Sequence, residues 1–529
     1  MHMSPVTITL LLFSLTTALS LGAVRLKIPY PTAMVIAGVL IGAAACFFPK
    51  LDYLAIRLDP QILFTAILPP LLYAAAWFTS WKGFRDNLRP IIMLAIGCVL
   101  FTTFGIAAIA VAVIPSFTWP LGFLLGAIVS PPDAVAATAV TSRLRIPKRI
   151  VTILDGESLV NDASALVIFR FALTAVMGAG FSLSHALLEF PLVAIGGIGV
   201  GVAVAAILHE IHRRIEQPLI ETAMTLLTPY AAYLLADELH LSGVLSVVTC
   251  GIILSRHSSH FFSPTTRITA FSFWNVLTFT LNGLVFILIG LQLPRIIHGL
   301  ETSVLDASLF AILVCIALIA LRFAWVIPAT YLSRLIPAVR RKDPIPPFRQ
   351  TFLISWVGMR GVVSLAAALS LPETLPNGSA FPGRDLILFI TFVVILVTLV
   401  LQSLTLPQII RLLNVEVADN DRCDEAEARR RAMFAALDRL ETEPPSHATD
   451  ALRSHYRHRL EHLSECKDHG ETADPEALLY RQLMKAERKT IVDLRDKGHI
   501  SDELLRKLER ELDLEESRLP DEEDAPQVH

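Results

Sequence analysis

The stretch Gly122-Phe-Leu-Leu-Gly-Ala-Ile-Val-Ser-Pro-Pro-Asp-Ala-Val-Ala136 places two prolines and a carboxylate in the middle of a long apolar run. Each proline removes a backbone donor and clashes with the preceding turn, so a helix over this run must break at Pro131 and Pro132. Inside a membrane, the freed backbone groups are tolerated only where they are buried in protein or line a cavity. The stretch predicts a broken membrane helix with Asp133 at its gap, which is typical of midplane ion sites. The alternative is a proline kink in which Asp133 only caps the second half-helix.

The composition of the whole chain indicates a membrane protein. The chain has 529 residues, of which 53% are hydrophobic and 18% charged, and its mean hydropathy is +0.58. Soluble domains carry about 25% charged residues. These values exclude a disordered chain, a collagen-like chain and a secreted disulfide scaffold. They favour an all-α polytopic protein with many spans.

About thirteen segments are apolar and long enough to be membrane helices, since a span needs roughly 20 apolar residues. The predicted spans are about 5–24, 29–48, 61–78, 91–114, 120–140, 151–178, 185–208, 219–238, 242–255, 270–293, 303–333, 351–371 and 385–411.

The placement of lysine and arginine tests this set of spans. If the loops alternate sides, the odd-numbered loops hold 18 Lys/Arg and the even-numbered loops hold 4. Basic residues concentrate in cytoplasmic loops. We therefore expect a multi-pass protein of the cell (inner) membrane, with its N-terminus outside and its C-terminus in the cytoplasm.

The last part of the chain has a different composition, which predicts two domains, 1–411 in the membrane and 412–529 in the cytoplasm. Residues 412–529 carry a net charge of −11, against +8 for residues 1–411. Helical patterns run near 422–442, 448–466 and 475–515 in this acidic tail. The tail shows no nucleotide-binding or zinc-binding spacing, so the sequence predicts no cofactor and no nucleic-acid partner.

The sixth predicted span carries polar residues that are expensive in a bilayer, which makes each a functional hypothesis. A helix places Ser158 and Asp162 one turn apart on one face, with Glu157 above Asn161 on an adjoining face. Oxygen ligands and one negative charge suit a hard cation such as Na⁺, and a carboxylate in low dielectric can also hold a proton near neutral pH. Asp162 is thus a candidate for holding either ion. The alternative is an interfacial helix with a solvated polar face.

The twelfth predicted span reads Trp356-Val-Gly-Met-Arg-Gly-Val-Val-Ser364. An arginine this deep needs a partner, and the candidates are Glu157, Asp155, Asp133 and Asp162. The flanking glycines allow irregular backbone, so this span and the fifth are the two least regular. They lie seven spans apart and run antiparallel, as an inverted repeat of spans 1–6 and 8–13 would produce.

Other polar residues within the predicted spans are less informative. We expect them to pair across helices, and for the two asparagines this contact between helices is the favoured interpretation. The residues are Arg170, Glu189, Arg322, Asn275 and Asn282.

Four motifs in order resemble the monovalent cation:proton antiporters, in the bacterial branch of the sodium/proton exchangers. They are Val129-Ser-Pro-Pro-Asp-Ala-Val, Gly156-Glu-Ser-Leu-Val-Asn-Asp-Ala, Phe273-Trp-Asn with Asn282-Gly-Leu-Val-Phe-Ile-Leu-Ile-Gly-Leu-Gln-Leu, and Trp356-Val-Gly-Met-Arg-Gly-Val-Val-Ser-Leu-Ala. The resemblance covers about residues 5–411.

The resemblance implies a thirteen-span homodimer in which the fifth and twelfth spans cross at their broken middles. It implies that Asp162 is the shared carboxylate for the transported Na⁺ and the proton, with Asn161 as its partner and Ser158 and Asp133 lining the same site. It also implies a structural ion pair between Glu157 and Arg360. The Asn-Asp pair accompanies electroneutral exchange in this branch.

The implied activity is exchange of Na⁺, with K⁺ or Li⁺ as alternatives, for protons in pH and sodium homeostasis. Two departures from the family pattern affect ion selectivity, because threonine often stands at Pro132 and glutamate at Asn275. A cation channel and an organic-solute transporter are the alternative functions. An intramembrane aspartyl protease would need a Gly-x-Gly-Asp pattern, which neither Asp133 nor Asp162 has, so the sequence predicts no enzyme.

Overall fold

The structure of the protein, a computed structural model, describes residues 5–26, 28–47, 59–141, 146–178, 183–215, 217–415, 420–444, 446–465, 475–497, 499 and 501–516. Within these ranges the secondary structure is helical, apart from one isolated bridge between Thr374 and Ala380. The chain divides into two compact units, Met1–Val417 and Ala418–His529. The predicted all-α class is confirmed.

The first unit is a bundle of apolar helices. Its helices are α1 Pro5–Arg25, α2 Tyr30–Phe47, α3 Pro60–Ile62, α4 Leu68–Phe78, α5 Trp81–Asp86, α6 Leu88–Ile92, α7 Val99–Val113, α8 Trp119–Val129, α9 Ala134–Thr141, α10 Lys148–Val176, α11 Leu183–His212, α12 Pro218–Glu238, α13 Gly243–Phe261, α14 Pro264–Leu291, α15 Leu293–His298, α16 Val304–Leu332, α17 Pro337–Lys342, α18 Phe348–Trp356, α19 Val362–Leu369, α20 Arg384–Val397 and α21 Ser403–Leu413. Three π-helical segments, Leu63–Ile67, Met93–Cys98 and Thr398–Gln402, continue neighbouring helices.

Several of these helices could cross a membrane. Among the described residues, 8 helices are long and apolar enough by length and composition, and shorter apolar helices occupy Leu10–Arg25, Tyr30–Ala45 and Trp119–Val129. The polytopic character is confirmed, whereas the predicted number of thirteen spans is not confirmed by this criterion.

The two irregular spans are each broken where the sequence predicts. The fifth ends its first half at Val129 and resumes at Ala134, because Pro131 and Pro132 cannot supply the N–H groups of a continuing helix. The twelfth ends its first half at Trp356 and resumes at Val362. Each span is therefore a pair of short half-helices, α8 with α9 and α18 with α19.

Glycines bring α2 and α14 into close contact. A Cβ added at Gly38 would lie 2.4 Å from the carbonyl oxygen of Ile287, and one added at Gly290 would lie 2.5 Å from that of Val35. Small residues allow membrane helices to approach this closely. The contact fixes the position of two helices that also face the candidate site.

Three arginines converge on Asp343, in the loop between α17 and α18. Its carboxylate accepts hydrogen bonds from Arg149 and Arg334, both at 2.5 Å, and lies 3.8 Å from the Arg89 guanidinium. Burial alone would raise the pKa of Asp343, but the hydrogen bonds from Arg334 and Arg149 outweigh it and hold that pKa below its ordinary value. The carboxylate therefore connects this loop to the start of α10.

We expect Asp343→Asn to lower the thermal stability of the purified protein at pH 7 by about 1–3 kcal/mol, since it removes a charged acceptor from two arginines. A folded-state pKa below the ordinary value means that the ionised Asp343 stabilises the fold at higher pH and loses this effect as the pH falls through the folded-state pKa. The Tm difference from wild type should therefore shrink on acidification below the ordinary range of aspartate. A difference that grows on acidification would contradict the assignment.

The second unit consists of α22 Asn420–Glu441, α23 His447–Glu465, α24 Pro475–Asp496 and α25 Asp502–Glu516. Arg488 of α24 donates to Asp513 at 2.7 Å and to Glu516 at 3.0 Å, so α24 and α25 pack against each other. The prediction of one helix over 475–515 is wrong. Helix α24 ends at Asp496, and Ser501 caps α25 by accepting from the N–H of Leu504 at 3.2 Å.

Candidate functional site

The two broken helices contact each other at their breaks. The N–H of Asp133 donates to the carbonyl of Met359 at 2.6 Å. The Arg360 guanidinium donates to the carbonyls of Val129 at 3.0 Å and Ser130 at 3.4 Å. The expectation that the fifth and twelfth spans cross at their broken middles is confirmed.

Asp133 caps both broken helices. Its carboxylate accepts the N–H of Val135, in the first turn of α9, at 2.8 Å. It also accepts a backbone hydrogen bond from Val362, the first residue of α19. Helix N-termini carry partial positive charge, so these two N–H groups compensate the charge of one carboxylate. Capping, which the sequence left as the alternative role, is therefore part of what Asp133 does.

Gly361 allows this double cap to form. A Cβ added there would lie 1.7 Å from Oδ2 of Asp133, so the Asp133 side chain would have to move. Any other residue at this position would push the carboxylate away from the N-terminus of α19.

We therefore expect Gly361→Ala to destabilise the protein by about 1–3 kcal/mol, as overpacking does in cores. The apparent Tm of the purified protein measures this effect. Gly378→Ala is a control of a different kind, because Gly378 has open space around it and a positive φ of 82°, so that change tests backbone strain without a steric clash. A Tm equal to wild type for Gly361→Ala would show that Asp133 does not occupy this position.

The predicted ion-site residues of α10 are brought together. Asn161 is 0% exposed, and its Nδ2 donates to the carbonyl of Pro132 at 2.8 Å, so α10 is fixed to the break of the fifth span. The Asp162 carboxylate is 7% exposed and accepts no hydrogen bond from the described part of the chain. A buried carboxylate without a donor is a strong candidate to bind a cation or a proton.

A cavity of about 310 Å³ opens beside this carboxylate. Asp133, Ser158 and Asp162 line it, whereas Asn161, which is bonded to the Pro132 carbonyl, is not among its lining residues. Asp155 also lines the cavity and accepts a hydrogen bond from Thr138 at 3.0 Å. The α10 lining residues 155, 158 and 162 follow helical spacing, so one face of α10 forms this side of the cavity. The other side comes from α2, α4, α14 and α19.

The predicted ion pair between Glu157 and Arg360 needs correction. Glu157 is paired with Arg322 of α16, whose Nη1 and Nη2 donate to the two carboxylate oxygens at 2.6 and 2.8 Å. Both side chains are at most 3% exposed. Arg322 also donates to the carbonyl of Ile354 at 3.2 Å, so one guanidinium joins α10, α16 and α18. The sequence identified Arg322 only as one of several residues expected to pair across helices.

Arg360 compensates a helix end instead of a carboxylate. It is 1% exposed, and its guanidinium donates to the carbonyls of Val129, Ser130 and Gly358. The first two carbonyls lie at the C-terminal end of α8, where the partial charge of a helix is negative. The arginine therefore stabilises the first half-helix at the crossing.

This arrangement defines a class of protein. Two broken helices that cross inside an apolar helical bundle, with buried carboxylates at the crossing, are the architecture of ion-coupled secondary transporters.

The chain belongs to the sodium/hydrogen exchanger family. The family described as "Sodium/hydrogen exchanger, transmembrane" matches residues 10–412. A protein of Escherichia coli named an uncharacterized Na⁺/H⁺ exchanger is 33% identical over 97% of this chain and 99% of its own length. A sodium, potassium, lithium and rubidium/H⁺ antiporter of Bacillus subtilis is 31% identical over 90% of this chain and 72% of its own. The Na⁺/H⁺ antiporter of Aphanothece halophytica is 32% identical over 82% of this chain and 81% of its own.

A solved structure has the same fold. The sodium proton antiporter of Methanocaldococcus jannaschii, at 22% identity, covers 79% of this chain and 100% of its own with a TM-score of 0.61. The resemblance identified from the four motifs is confirmed.

Proposed function

We propose that the protein exchanges Na⁺ for H⁺ at Asp162 in the cell membrane, as the sodium/hydrogen exchanger family implies. The observation that carries this proposal is the contrast between the two carboxylates at the crossing. Asp133 accepts two backbone N–H groups. Asp162 lines the same cavity and has no donor among the described residues. Asp162 is therefore the carboxylate whose charge a bound ion must compensate.

The neighbouring residues hold this carboxylate in place and supply oxygen ligands. Asn161 anchors α10 to the Pro132 carbonyl. Ser158 lies one turn before Asp162 and lines the same cavity. A hard cation prefers oxygen ligands, whereas a proton needs one carboxylate oxygen. Na⁺ and H⁺ then compete for Asp162, and each can leave only when the other, or the same ion, takes its place.

The relatives support a choice of transported cation, and the loops support an orientation in the membrane. One relative is named for sodium, potassium, lithium and rubidium, which supports Na⁺ as the main cation with K⁺ or Li⁺ as further substrates. The distribution of basic residues supports an N-terminus outside and a cytoplasmic C-terminus. We further propose a homodimer that serves pH and sodium homeostasis, a membrane domain at 1–411, and a separate cytoplasmic tail at 412–529.

Everted membrane vesicles with a pH-sensitive dye test this activity. Adding NaCl after acidification should release protons from vesicles that contain the protein and leave control vesicles unchanged. LiCl and KCl additions at several pH values then rank the cations. A wild-type protein that moves no protons in response to any of the three cations would refute the proposal.

We expect the exchange to be electroneutral, because Asn161 cannot titrate and the charge of Asp133 is compensated by two helix N-termini. One proton then replaces one monovalent cation, so no net charge crosses the membrane. In proteoliposomes the Na⁺/H⁺ exchange rate should be the same at 0 mV and at a potential set with valinomycin and K⁺. A rate that rises steeply with voltage would show that a second carboxylate of the cavity carries a proton.

A further inference from the structure

We propose that Asn282 and Ser364 supply uncharged oxygen ligands to the cation at Asp162, from the side of the cavity opposite α10. This proposal rests on the proposed function and extends it to the residues that determine cation affinity. The neutral oxygen pair is Asn282 Oδ1, on α14, and Ser364 Oγ, on α19. Both residues line the cavity that contains Asp162.

The Asn282 side chain carries an oxygen without a hydrogen-bond partner in the described chain. This oxygen is Oδ1, and the residue is 5% exposed. The side chain is hydrogen-bonded to the Tyr30 hydroxyl, and since Oδ1 has no partner, the amide NH₂ is the donor. Tyr30 begins α2, which packs closely on α14. The expected contact between helices therefore uses only the nitrogen of Asn282 and leaves its oxygen without a partner among the described residues.

The Ser364 hydroxyl has no hydrogen-bond partner in the described chain because it lies close to the break of the twelfth span. Helical serines in this protein commonly donate to the carbonyl four residues earlier, as Ser355 does to Thr351 at 2.8 Å. The equivalent carbonyl for Ser364 belongs to Arg360, which precedes the start of α19 at Val362. Ser364 is 2% exposed and its Oγ has no partner within the described ranges. The break of the twelfth span thus leaves this hydroxyl available for a ligand.

The two residues share one cavity with the carboxylates of Asp133 and Asp162. The backbone N–H of Val362, two residues before Ser364, bonds to Asp133. α19 packs against both α10 and α14, and Asn282, Ser364 and Asp162 line one cavity between these helices. Buried polar atoms are rarely left without partners, and two of them beside an unpaired carboxylate form the oxygen set that a hard monovalent cation would use.

A cation and a proton would use this set differently. A cation needs several oxygens around it, whereas a proton is held by the carboxylate alone. Loss of either neutral oxygen should therefore weaken cation binding and leave proton binding at Asp162 unchanged. This difference separates a ligand from a residue that only supports the fold.

The test measures Na⁺ and Li⁺ exchange in proteoliposomes for Asn282→Leu and Ser364→Ala. We expect the KM for Na⁺ to rise by about threefold to tenfold in each, as the loss of one polar contact implies. The maximum rate should remain as in wild type, and so should the pH at which protons inhibit when Na⁺ is supplied at the same multiple of each variant's KM, while the Li⁺ to Na⁺ preference should change. Ser364→Thr, which keeps the hydroxyl, should restore the wild-type KM.

Two matched controls lie on the same helices. Ser272→Ala changes an exposed serine of α14, and Ser370→Ala changes a serine that already donates to Ala367 at 2.8 Å. Both should keep the wild-type KM. If Asn282→Leu fails to insert, Asn282→Ala and the Ser364 variants decide the question.

The outcomes distinguish the two proposals. Absence of exchange in the wild-type protein would overturn the proposed function itself. Normal wild-type exchange with an unchanged Na⁺ KM in both Asn282→Leu and Ser364→Ala would overturn only the neutral oxygen pair. A fall in maximum rate without a change in KM would also overturn it, since that result indicates a structural role.

Discussion

Asp162→Asn should abolish cation-driven proton release in everted vesicles, reducing the signal to that of vesicles without the protein. The change keeps the shape of the side chain but removes the only carboxylate in the crossing that has no donor in the described structure. An amide can neither balance the charge of Na⁺ nor carry a proton near neutral pH. The fluorescence of a pH-sensitive dye after addition of NaCl, LiCl or KCl measures the loss.

Two further aspartates serve as controls for this prediction. Asp306→Asn changes an exposed carboxylate in the first turn of α16 and should exchange like wild type. Asp155→Asn changes a carboxylate in the same cavity, about 10 Å along α10 from Asp162. Asp155 has Thr138 as a donor, so its replacement should leave exchange measurable. Wild-type exchange by Asp162→Asn, in correctly inserted protein, would exclude Asp162 as the carrier.

Breaking the Glu157–Arg322 pair should have the largest effect on stability. The two side chains are buried and joined by two hydrogen bonds of 2.6 and 2.8 Å. Removing one partner leaves an uncompensated buried charge, which costs about 3–5 kcal/mol. Glu157→Gln and Arg322→Gln should each lower the apparent Tm strongly. The double variant should be no less stable than either single variant, because it buries no lone charge.

A second double variant tests the pairing that the sequence suggested. Combining Glu157→Gln with Arg360→Gln should give damage close to the sum of the two, since Arg360 donates to backbone carbonyls. Strong non-additivity in this variant, together with additivity in the Glu157 and Arg322 variant, would show that Glu157 pairs with Arg360 and not with Arg322.

The breaks of the two spans were predictable because their causes are local. Pro131 and Pro132 remove backbone donors wherever they stand in a helix, and the glycines at 358 and 361 permit irregular backbone. The polar face of α10 was predictable for the same reason, since residues at helical spacing share a face. That Asp133 belongs to the same site as Ser158 and Asp162 was implied only by the family resemblance, because Asp133 stands on a different span.

The choice of partner for Glu157 was not predictable, because it depends on which helices are neighbours. Arg322 and Arg360 are both arginines within predicted spans, and nothing in their local sequence ranks them. The structure places α16 beside α10, so Arg322 reaches the carboxylate. The unpaired oxygens of Asn282 and Ser364 were also not predictable from the sequence, since a missing hydrogen bond is recognised only when the neighbours of the atom are known.

The double cap at Asp133 has a mechanical consequence. One carboxylate holds the N-termini of α9 and α19 together, and separating them would strand its charge in a medium of low dielectric. The two half-helices at the crossing should therefore move together as one rigid body. Any movement that opens the ion site to the other side of the membrane should then carry α9 and α19 together past α2 and α14, which approach each other closely at Gly38 and Gly290.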